Sequence, residues 1–173
     1  MRENATPCTF APASPADLEA LLPYYRQAAA RPDCPWSQDY PDQATLEADQ
    51  AEGRLFCAKD PDGQVMGAYV LTFGDEDTEA QTFWTKGLEP AGEVVRLLTA
   101  APYENQGLGG RLLADAVARL ARMGCRSCRI LVAKDNRRAL RAYEGQGFVY
   151  VGLARLYGTD FACFEKPLEG ETI

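Results

Sequence analysis

A glycine-rich turn joins an apolar segment to a long amphipathic segment in the middle of this 173-residue chain. The turn reads Asn105-Gln106-Gly107-Leu108-Gly109-Gly110. Its glycines allow backbone conformations and close approaches that a side chain would block. Apolar residues recur at helical spacing from Leu108 to Leu120, and Gly124 suits the end of that helix. A turn of this kind at a helix start presents backbone N–H groups, which predicts an anion-binding site.

The predicted helix lies between two predicted strands. Residues 94–99 precede the turn and residues 129–132 follow the helix, and both runs are aliphatic and rich in valine and leucine. A helix that crosses between two strands implies that the strands are parallel. Other strands are predicted near 8–10, 55–58, 65–71, 149–151 and 161–164. The whole chain is therefore expected to form an α/β fold, a mixed sheet of about six or seven strands flanked by about four helices.

Turn and cap residues predict several element boundaries. Residues 14–17, Ser-Pro-Ala-Asp, should open a helix that Pro23 kinks or divides. A second helix is expected over 43–51, capped by Asp42 and ended by Gly53. The sequence Asp60-Pro61-Asp62-Gly63 predicts a hairpin turn between two strands.

Two familiar phosphate-binding patterns do not match the turn. The dinucleotide pattern would need a glycine at Leu112, and the P-loop pattern occurs nowhere. Residues 104–109 instead resemble the acyl-CoA-binding motif [QR]-x-x-G-x-[GA] of the GNAT superfamily of N-acetyltransferases. Downstream, Asn136-x-x-Ala139-x-x-x-Tyr143-Glu144-x-x-Gly147-Phe148 resembles a second element of that family. Glu104 departs from the first motif, and a carboxylate near a pyrophosphate puts the affinity for the cofactor in question.

The resemblance implies a GNAT fold and an acetyl-CoA-dependent N-acetyltransferase. The amine acceptor, a small molecule or a peptide, would attack the thioester directly, and no metal is expected. The pantetheine arm would follow the strand end, where backbone N–H groups polarise the thioester carbonyl, and the pyrophosphate would lie over the turn. The implied cofactor contacts are Leu98, Thr99, Ala100, Glu104, Asn105, Gln106, Gly107, Leu108, Gly109, Gly110, Asn136, Ala139 and Tyr143. The alternative is a non-catalytic acyl-CoA-binding or regulatory domain.

Two residues are candidates for proton transfer. The resemblance implies that Tyr143 protonates the departing thiolate, while the alternative is a core tyrosine. The chain has no histidine, so the base must be a carboxylate, a tyrosine or a water chain. Glu93 is the candidate because its offset from Glu104 resembles that of the base in histone acetyltransferases, and the alternative is a solvated glutamate. Asn136 either bonds the cofactor or caps the helix that follows it.

Aromatic residues in two loops are candidates for the acceptor site. The resemblance places a proline-rich loop and a long acidic loop near the acyl end. Trp36, Tyr40 and Trp84 could therefore enclose an acceptor, or they could pack the loops onto the domain. The acidic residues of the second loop either face solvent or steer a cationic acceptor; they are Asp75, Glu76, Asp77 and Glu79.

Composition bears on the number of domains, the partners and the location of the protein. Residues 1–173 are expected to form a single domain, and the net charge of −7 argues against nucleic acid as a partner. No apolar run is long enough to span a bilayer, and the N-terminal residues resemble no signal peptide, so the cytoplasm is the expected location. The six cysteines are read as free thiols, and Cys125 and Cys128 as packed thiols rather than a redox or metal site. A homodimer is left open.

Overall fold

The computed structural model describes residues 5–143 and 145–169. Its strands are β1 (Thr9–Pro12), β2 (Leu55–Lys59), β3 (Val65–Thr72), β4 (Ala91–Thr99), β5 (Ser127–Ala133), β6 (Val149–Leu156) and β7 (Thr159–Pro167). Its helices are α1 (Asp17–Ala29), α2 (Gln43–Ala51), α3 (Glu76–Glu79), α4 (Leu108–Arg122) and α5 (Arg137–Tyr143), with a 3-10 turn at Ala101–Tyr103. The expected α/β class is confirmed.

The seven strands of the described residues form one mixed sheet in the order β1-β2-β3-β4-β5-β7-β6. The pairs β1 with β2, β2 with β3, β5 with β7, and β6 with β7 are antiparallel. The two strands that flank α4 are parallel, as the crossing helix predicted, and their pairing runs from Ala91 opposite Ser127 to Glu93 opposite Arg129. The predicted mixed sheet is thus confirmed.

Two compact units divide the chain. Among the described residues, the first unit comprises 5–70 and 96–113, and the second comprises 71–95, 114–143 and 145–169. The first unit holds β1, β2, most of β3, α1, α2 and the glycine turn. The second holds α3, β5, α5, β6, β7 and most of α4. The expectation of a single domain over residues 1–173 stays a prediction.

Two boundaries in the first unit, those of α2 and of the β2–β3 hairpin, agree with the sequence prediction. The carboxylate of Asp42 accepts a hydrogen bond of 2.8 Å from the Thr45 N–H at the start of α2, and Gly53 follows the helix with φ +72°. In the hairpin between β2 and β3, the Gly63 N–H donates to the Asp60 carbonyl at 2.9 Å, and Gly63 has φ +82°. Both features match the sequence prediction because each depends on residues a few positions apart.

The start of α1 differs from the prediction. The helix begins at Asp17 instead of just after Ser14, and Ala16 is its N-cap. The Asp17 carboxylate accepts the Ser14 N–H at 2.8 Å and pairs with Lys59 at 2.9 Å. The bond from the Ser14 N–H is one half of the predicted capping box, although the assigned helix begins only at Asp17. Pro23 lies inside α1 and does not divide it.

The hairpin at the end of the chain is longer than predicted. Strands β6 and β7 extend beyond the predicted 149–151 and 161–164, and their turn lies at Tyr157 and Gly158, whose φ angles are +53° and +75°. The residues added to β6 begin at Gly152, beside an irregularity of register between Tyr150 and Gly152, and a glycine is a weak strand signal.

Each unit has its own apolar core. In the first, the fully buried side chains include Leu21, Tyr25, Leu46, Leu55 and Tyr69. In the second, Leu120, Cys128 and Ile130 are fully or almost fully buried. All six cysteines are free thiols. Cys125 and Cys128 are both buried and burial raises the pKa of each thiol, as expected of packed thiols.

Glycines let elements approach closely at two core positions. A Cβ on Gly67 of β3 would overlap the carbonyl oxygen of Leu98 on β4 and touch the Leu112 side chain. A Cβ on Gly92 would overlap the Leu120 side chain of α4.

No helix in the described part of the chain is both long and apolar enough to cross a membrane. A cytoplasmic location and a homodimer stay predictions.

Gly67→Ala should lower the free energy of unfolding by about 3 kcal/mol, because a backbone carbonyl cannot move away as a side-chain end can. Gly63→Ala is the matched control, since its Cβ would meet nothing within 4 Å and only the φ of +82° opposes it. The control should cost about 1 kcal/mol. Urea unfolding measures both, and equal losses would contradict the close packing at Gly67.

Candidate active site

An irregular residue in β4 organises the predicted acceptor side of the first unit. Arg96 has φ +50°, a conformation that costs free energy in a residue with a side chain. The Tyr25 hydroxyl donates to the Arg96 carbonyl at 2.6 Å. The Arg96 guanidinium donates two hydrogen bonds to Asp49, at 2.8 and 2.9 Å. Backbone and side chain are therefore both held, and burial raises the pKa of Tyr25, which keeps its hydroxyl a donor.

One aromatic candidate of the proline-rich loop contacts Arg96, and the other contacts Tyr25. The Tyr40 hydroxyl accepts a hydrogen bond of 2.8 Å from Arg96 Nη1, and the Tyr40 ring remains 43% exposed. The Trp36 ring lies 5.3 Å from the Tyr25 ring, centroid to centroid. Trp36 thus packs against Tyr25, and Tyr40 bonds to Arg96. Both aromatic side chains keep some exposed surface. The sequence did not single out Arg96, because its partners Asp49 and Tyr40 are distant along the chain.

The glycine turn has the backbone geometry that an anion site needs. Asn105 and Gly107 are left-handed, with φ +63° and +76°. At the start of α4, the Arg111 N–H donates to the Gly107 carbonyl at 3.2 Å. The N–H groups of Leu108 and Gly109 precede that bond and have no acceptor within the helix. They belong to the end of the helix that favours negative charge, so the turn fits a phosphate group.

Thr6 is hydrogen-bonded to two residues at the glycine turn and the start of α4. The Thr6 N–H donates to the Gln106 side-chain oxygen at 3.0 Å, and Arg111 Nη1 donates to the Thr6 carbonyl at 3.0 Å. The Gln106 side chain, a predicted cofactor contact, is thus engaged with Thr6. Neither Thr6 nor Arg111 was predicted to take part, because no local pattern links residue 6 to the turn.

Glu104 forms an ion pair with Arg31, which follows the end of α1. Side-chain exposure is 37% for Arg31 and 18% for Glu104. The carboxylate that departs from the family motif is therefore neutralised within the first unit. The sequence prediction did not include this partner, and the effect of Glu104 on cofactor affinity stays a prediction.

The strand end that precedes the turn is well packed. Leu98 and Ala100 are 3% and 1% exposed. The Ala100 N–H donates to the Met66 carbonyl at 2.9 Å. The Ala100 N–H is therefore committed to the sheet. The Ala100 N–H is thus unsuited to polarise a thioester carbonyl, the role predicted for backbone N–H groups at residues 98–100.

In the second unit, Glu93 belongs to a buried row of charges. Glu93 lies opposite Arg129 on β5, and Arg129 lies opposite Glu165 on β7. Residues opposite one another share a face of the sheet. Their exposed fractions are 8%, 3% and 3%. Glu93 is thus not a solvated residue at a strand start, which was one of the two expectations for it.

The acidic loop closes over this charge row. The Thr78 hydroxyl donates to Glu93, and Trp84 Nε1 donates to the Thr78 carbonyl at 2.8 Å. Arg129 pairs with Glu79 at 2.8 Å, and its guanidinium lies 4.5 Å from the Trp84 ring centroid. Trp84 is 8% exposed. Trp84 and Glu93 are brought together through Thr78, and the packing alternative for Trp84 is the one observed.

A cavity of about 10 Å³ lies beside Glu93 and Arg129. It is lined also by Thr72, Thr78 and Glu79. Within the described residues, Arg129 Nε and Thr72 Oγ1 are buried without a hydrogen-bond partner. The volume suits about one water molecule, and two polar atoms and a carboxylate can bind it. The cavity therefore has room for one water molecule beside Glu93.

The second motif forms a short capped helix in the same unit. Asn136 Oδ1 accepts the Ala139 N–H at 3.1 Å, so Asn136 caps α5, which is one of its two expected roles. Tyr143 is 9% exposed, and its ring lies 6.5 Å from that of Phe148. Burial, with a smaller contribution from Cys128, raises the pKa of Tyr143 to about 12. Its hydroxyl stays protonated at neutral pH. Glu144 of the motif lies outside the described residues.

Comparisons with known proteins agree with this fold. The family model for the Acetyltransferase (GNAT) family matches residues 18–148. No curated protein sequence matches the chain. A GNAT-family acetyltransferase from Streptococcus agalactiae is 16% identical with a TM-score of 0.80, covering 94% of this chain and 96% of that one.

Two other solved structures are similar along almost their whole length. One is a GNAT superfamily phosphinothricin acetyltransferase from Sinorhizobium meliloti in complex with AcCoA, 21% identical with a TM-score of 0.74, covering 95% of this chain and 90% of that one. The other is the ribosomal-protein-S18-alanine N-acetyltransferase from Escherichia coli, 21% identical with a TM-score of 0.69, covering 96% and 99%. With a family match over most of its length, this chain belongs to the GNAT acetyltransferase family.

Proposed function

We propose that this protein is an N-acetyltransferase that transfers the acetyl group of acetyl-CoA to an amine by direct attack on the thioester. The observation that carries the proposal is the glycine turn. Two left-handed residues, Asn105 and Gly107, lead into the start of α4, and the neighbouring Glu104 is neutralised by Arg31. Family membership then gives this anion-binding geometry its expected ligand, the diphosphate of acetyl-CoA.

The turn would hold the diphosphate through backbone N–H groups. The groups at Leu108 and Gly109 suit this role, because they belong to the first turn of α4 and have no acceptor within it. The family resemblance extends the cofactor contacts to Leu98, Thr99, Ala100, Asn105, Gln106, Gly107, Gly110, Asn136 and Ala139. Backbone N–H groups at Leu98 and Thr99 are the proposed donors that polarise the thioester carbonyl. One such donor can stabilise the transition state by about 3 kcal/mol in a dry site.

Glu93 would act as the base for the acceptor amine. The acetyl thioester supplies the activated acyl group, and only a neutral amine can attack it. Neutralising a lysine-like amine at pH 7 costs about 4–5 kcal/mol, while an α-amine costs about 1 kcal/mol. Glu93 is a buried carboxylate beside a cavity that suits one water, so a proton could pass to it directly or through that water.

Tyr143 would act as the acid. Its pKa of about 12 keeps the hydroxyl protonated at neutral pH, so it can donate a proton to the departing thiolate. The thiolate takes that proton as the bond between sulfur and the acyl carbon breaks.

The acceptor would be an amine, and the net charge of −7 favours a cationic one weakly. Trp36 and Tyr40, which keep exposed surface, are proposed to line its approach. The name of the Escherichia coli relative gives an alanine of a ribosomal protein as its acceptor. We therefore propose to test peptide N-termini beside small amines.

Acetyl-CoA should bind the wild-type protein and raise its unfolding temperature. At 100 times the dissociation constant, a single site stabilises the folded state by about 2.7 kcal/mol. Calorimetric titration with acetyl-CoA gives the affinity and stoichiometry, and a thermal-shift titration checks the linkage. No binding at millimolar acetyl-CoA would contradict the proposal.

Glu93→Gln should slow transfer to a lysine-like amine about a hundredfold, because the base is lost. Transfer to an α-amine should fall less, since that amine is more easily neutral. Glutamine keeps an oxygen acceptor for Thr78, so the free energy of unfolding should fall by only about 1 kcal/mol.

Glu165→Gln is the matched control for that variant, because Glu165 lies in the same buried row opposite Arg129. It removes one carboxylate charge from the row and should leave the rate of transfer within about twofold of wild type. Equal losses in the two variants would show that the row stabilises the structure and that Glu93 is not the base.

Tyr143→Phe should lower kcat about a hundredfold and leave the dissociation constant of acetyl-CoA unchanged. The reason is that only the proton donor is removed, while the ring still packs. Tyr150→Phe, at an exposed position of the same unit, is the control. Single-turnover transfer and calorimetry measure the two quantities, and undiminished transfer by Tyr143→Phe would remove Tyr143 from the mechanism.

A further inference from the structure

The glycine turn carries a charge that opposes its proposed ligand. Glu104 immediately precedes the left-handed Asn105, and its side chain is only 18% exposed. In the family motif this position is Gln or Arg, which do not repel a diphosphate. An uncompensated carboxylate here would weaken diphosphate binding, the more so because a partly buried charge is poorly screened.

Arg31 supplies the missing positive charge from a different part of the first unit. It follows the end of α1, and its guanidinium Nη2 contacts Glu104 Oε1. A guanidinium has five N–H donors and stays charged at any pH the protein tolerates. Because the Arg31 side chain is 37% exposed, part of the guanidinium also faces solvent.

We propose that Arg31 is a positioning residue for the diphosphate of the CoA donor, acting by neutralising Glu104. The negative charge at position 104 is neutralised by an arginine of the α1–α2 connection, whereas the family motif has no negative charge at that position. This inference rests on the proposed function, since it requires that CoA bind at the turn. It adds a residue from outside the family motif to the diphosphate site.

A purely structural role for Arg31 makes a different prediction. Arg31 follows α1, where a positive charge stabilises the C-terminal end of a helix. In that role, its loss would lower stability and leave CoA affinity unchanged, whatever residue stands at position 104. The two roles therefore separate in a double-mutant cycle that reads ligand affinity and stability independently.

The cycle consists of wild type, Arg31→Ala, Glu104→Gln and the double variant. Calorimetry measures the dissociation constants of CoA and acetyl-CoA, and urea unfolding measures stability. Arg31→Ala should weaken both ligands about tenfold, and the loss should shrink in about 0.5 M salt. Glu104→Gln should bind at least as tightly as wild type, and the double variant should return to within about threefold of it.

Arg54→Ala is the matched control. Arg54 is 41% exposed and pairs with Glu52 at 3.6 Å in the same unit, so the variant makes the same change in net charge. Its CoA affinity should equal that of wild type. Should Arg31→Ala fail to fold, Arg31→Gln with and without Glu104→Gln completes the same cycle, and Arg31→Lys, which keeps the charge, should retain affinity.

Two results would overturn the inference. Wild-type affinity in Arg31→Ala would show that Glu104 needs no compensation. A double variant as weak as Arg31→Ala would show that Arg31 does not act through Glu104. Failure of the wild type itself to bind CoA would instead overturn the proposed function, and the inference with it.

Discussion

A guanidinium buried among carboxylates is the constraint on which the second unit depends. Arg129 is 3% exposed, and a buried charge is costly unless it is paired and hydrogen-bonded. It forms an ion pair with Glu79 in the acidic loop, and Glu93 and Glu165 lie opposite it on the neighbouring strands. Trp84 covers the guanidinium face. The pairing of Arg129 therefore orders the loop and keeps the proposed base out of water.

Two other arginines have comparable roles in the first unit. Arg96 holds an unfavourable backbone conformation in β4 and ties the proline-rich loop to it through Tyr40. Arg31 neutralises the carboxylate beside the glycine turn. Each joins segments that are far apart in sequence. The proposed chemistry thus depends on ion pairs that place a loop or remove a charge, and on backbone N–H groups that bind the ligand.

Sequence reasoning succeeded where neighbouring residues decide the structure. The bounds of α2, the β2–β3 turn and the cap at Asn136 follow from residues a few positions apart, and the parallel strands follow from the crossing helix α4. It failed for pairings of distant residues. The buried Glu93 lies opposite the buried Arg129, and no local pattern reveals that register. The compensation of Glu104 by Arg31 was invisible for the same reason.

The most direct test of the central claim is a mass balance for transfer. Wild-type protein is mixed with acetyl-CoA and each amine of a set containing α-amino peptides, lysine peptides and small polyamines. Mass spectrometry measures the acetylated amine, and a thiol reagent measures free CoA. An N-acetyltransferase should form the two products in equal amounts, at a rate proportional to protein concentration. Tight acetyl-CoA binding with neither product above the protein-free rate, for every amine, would contradict it and support the non-catalytic alternative.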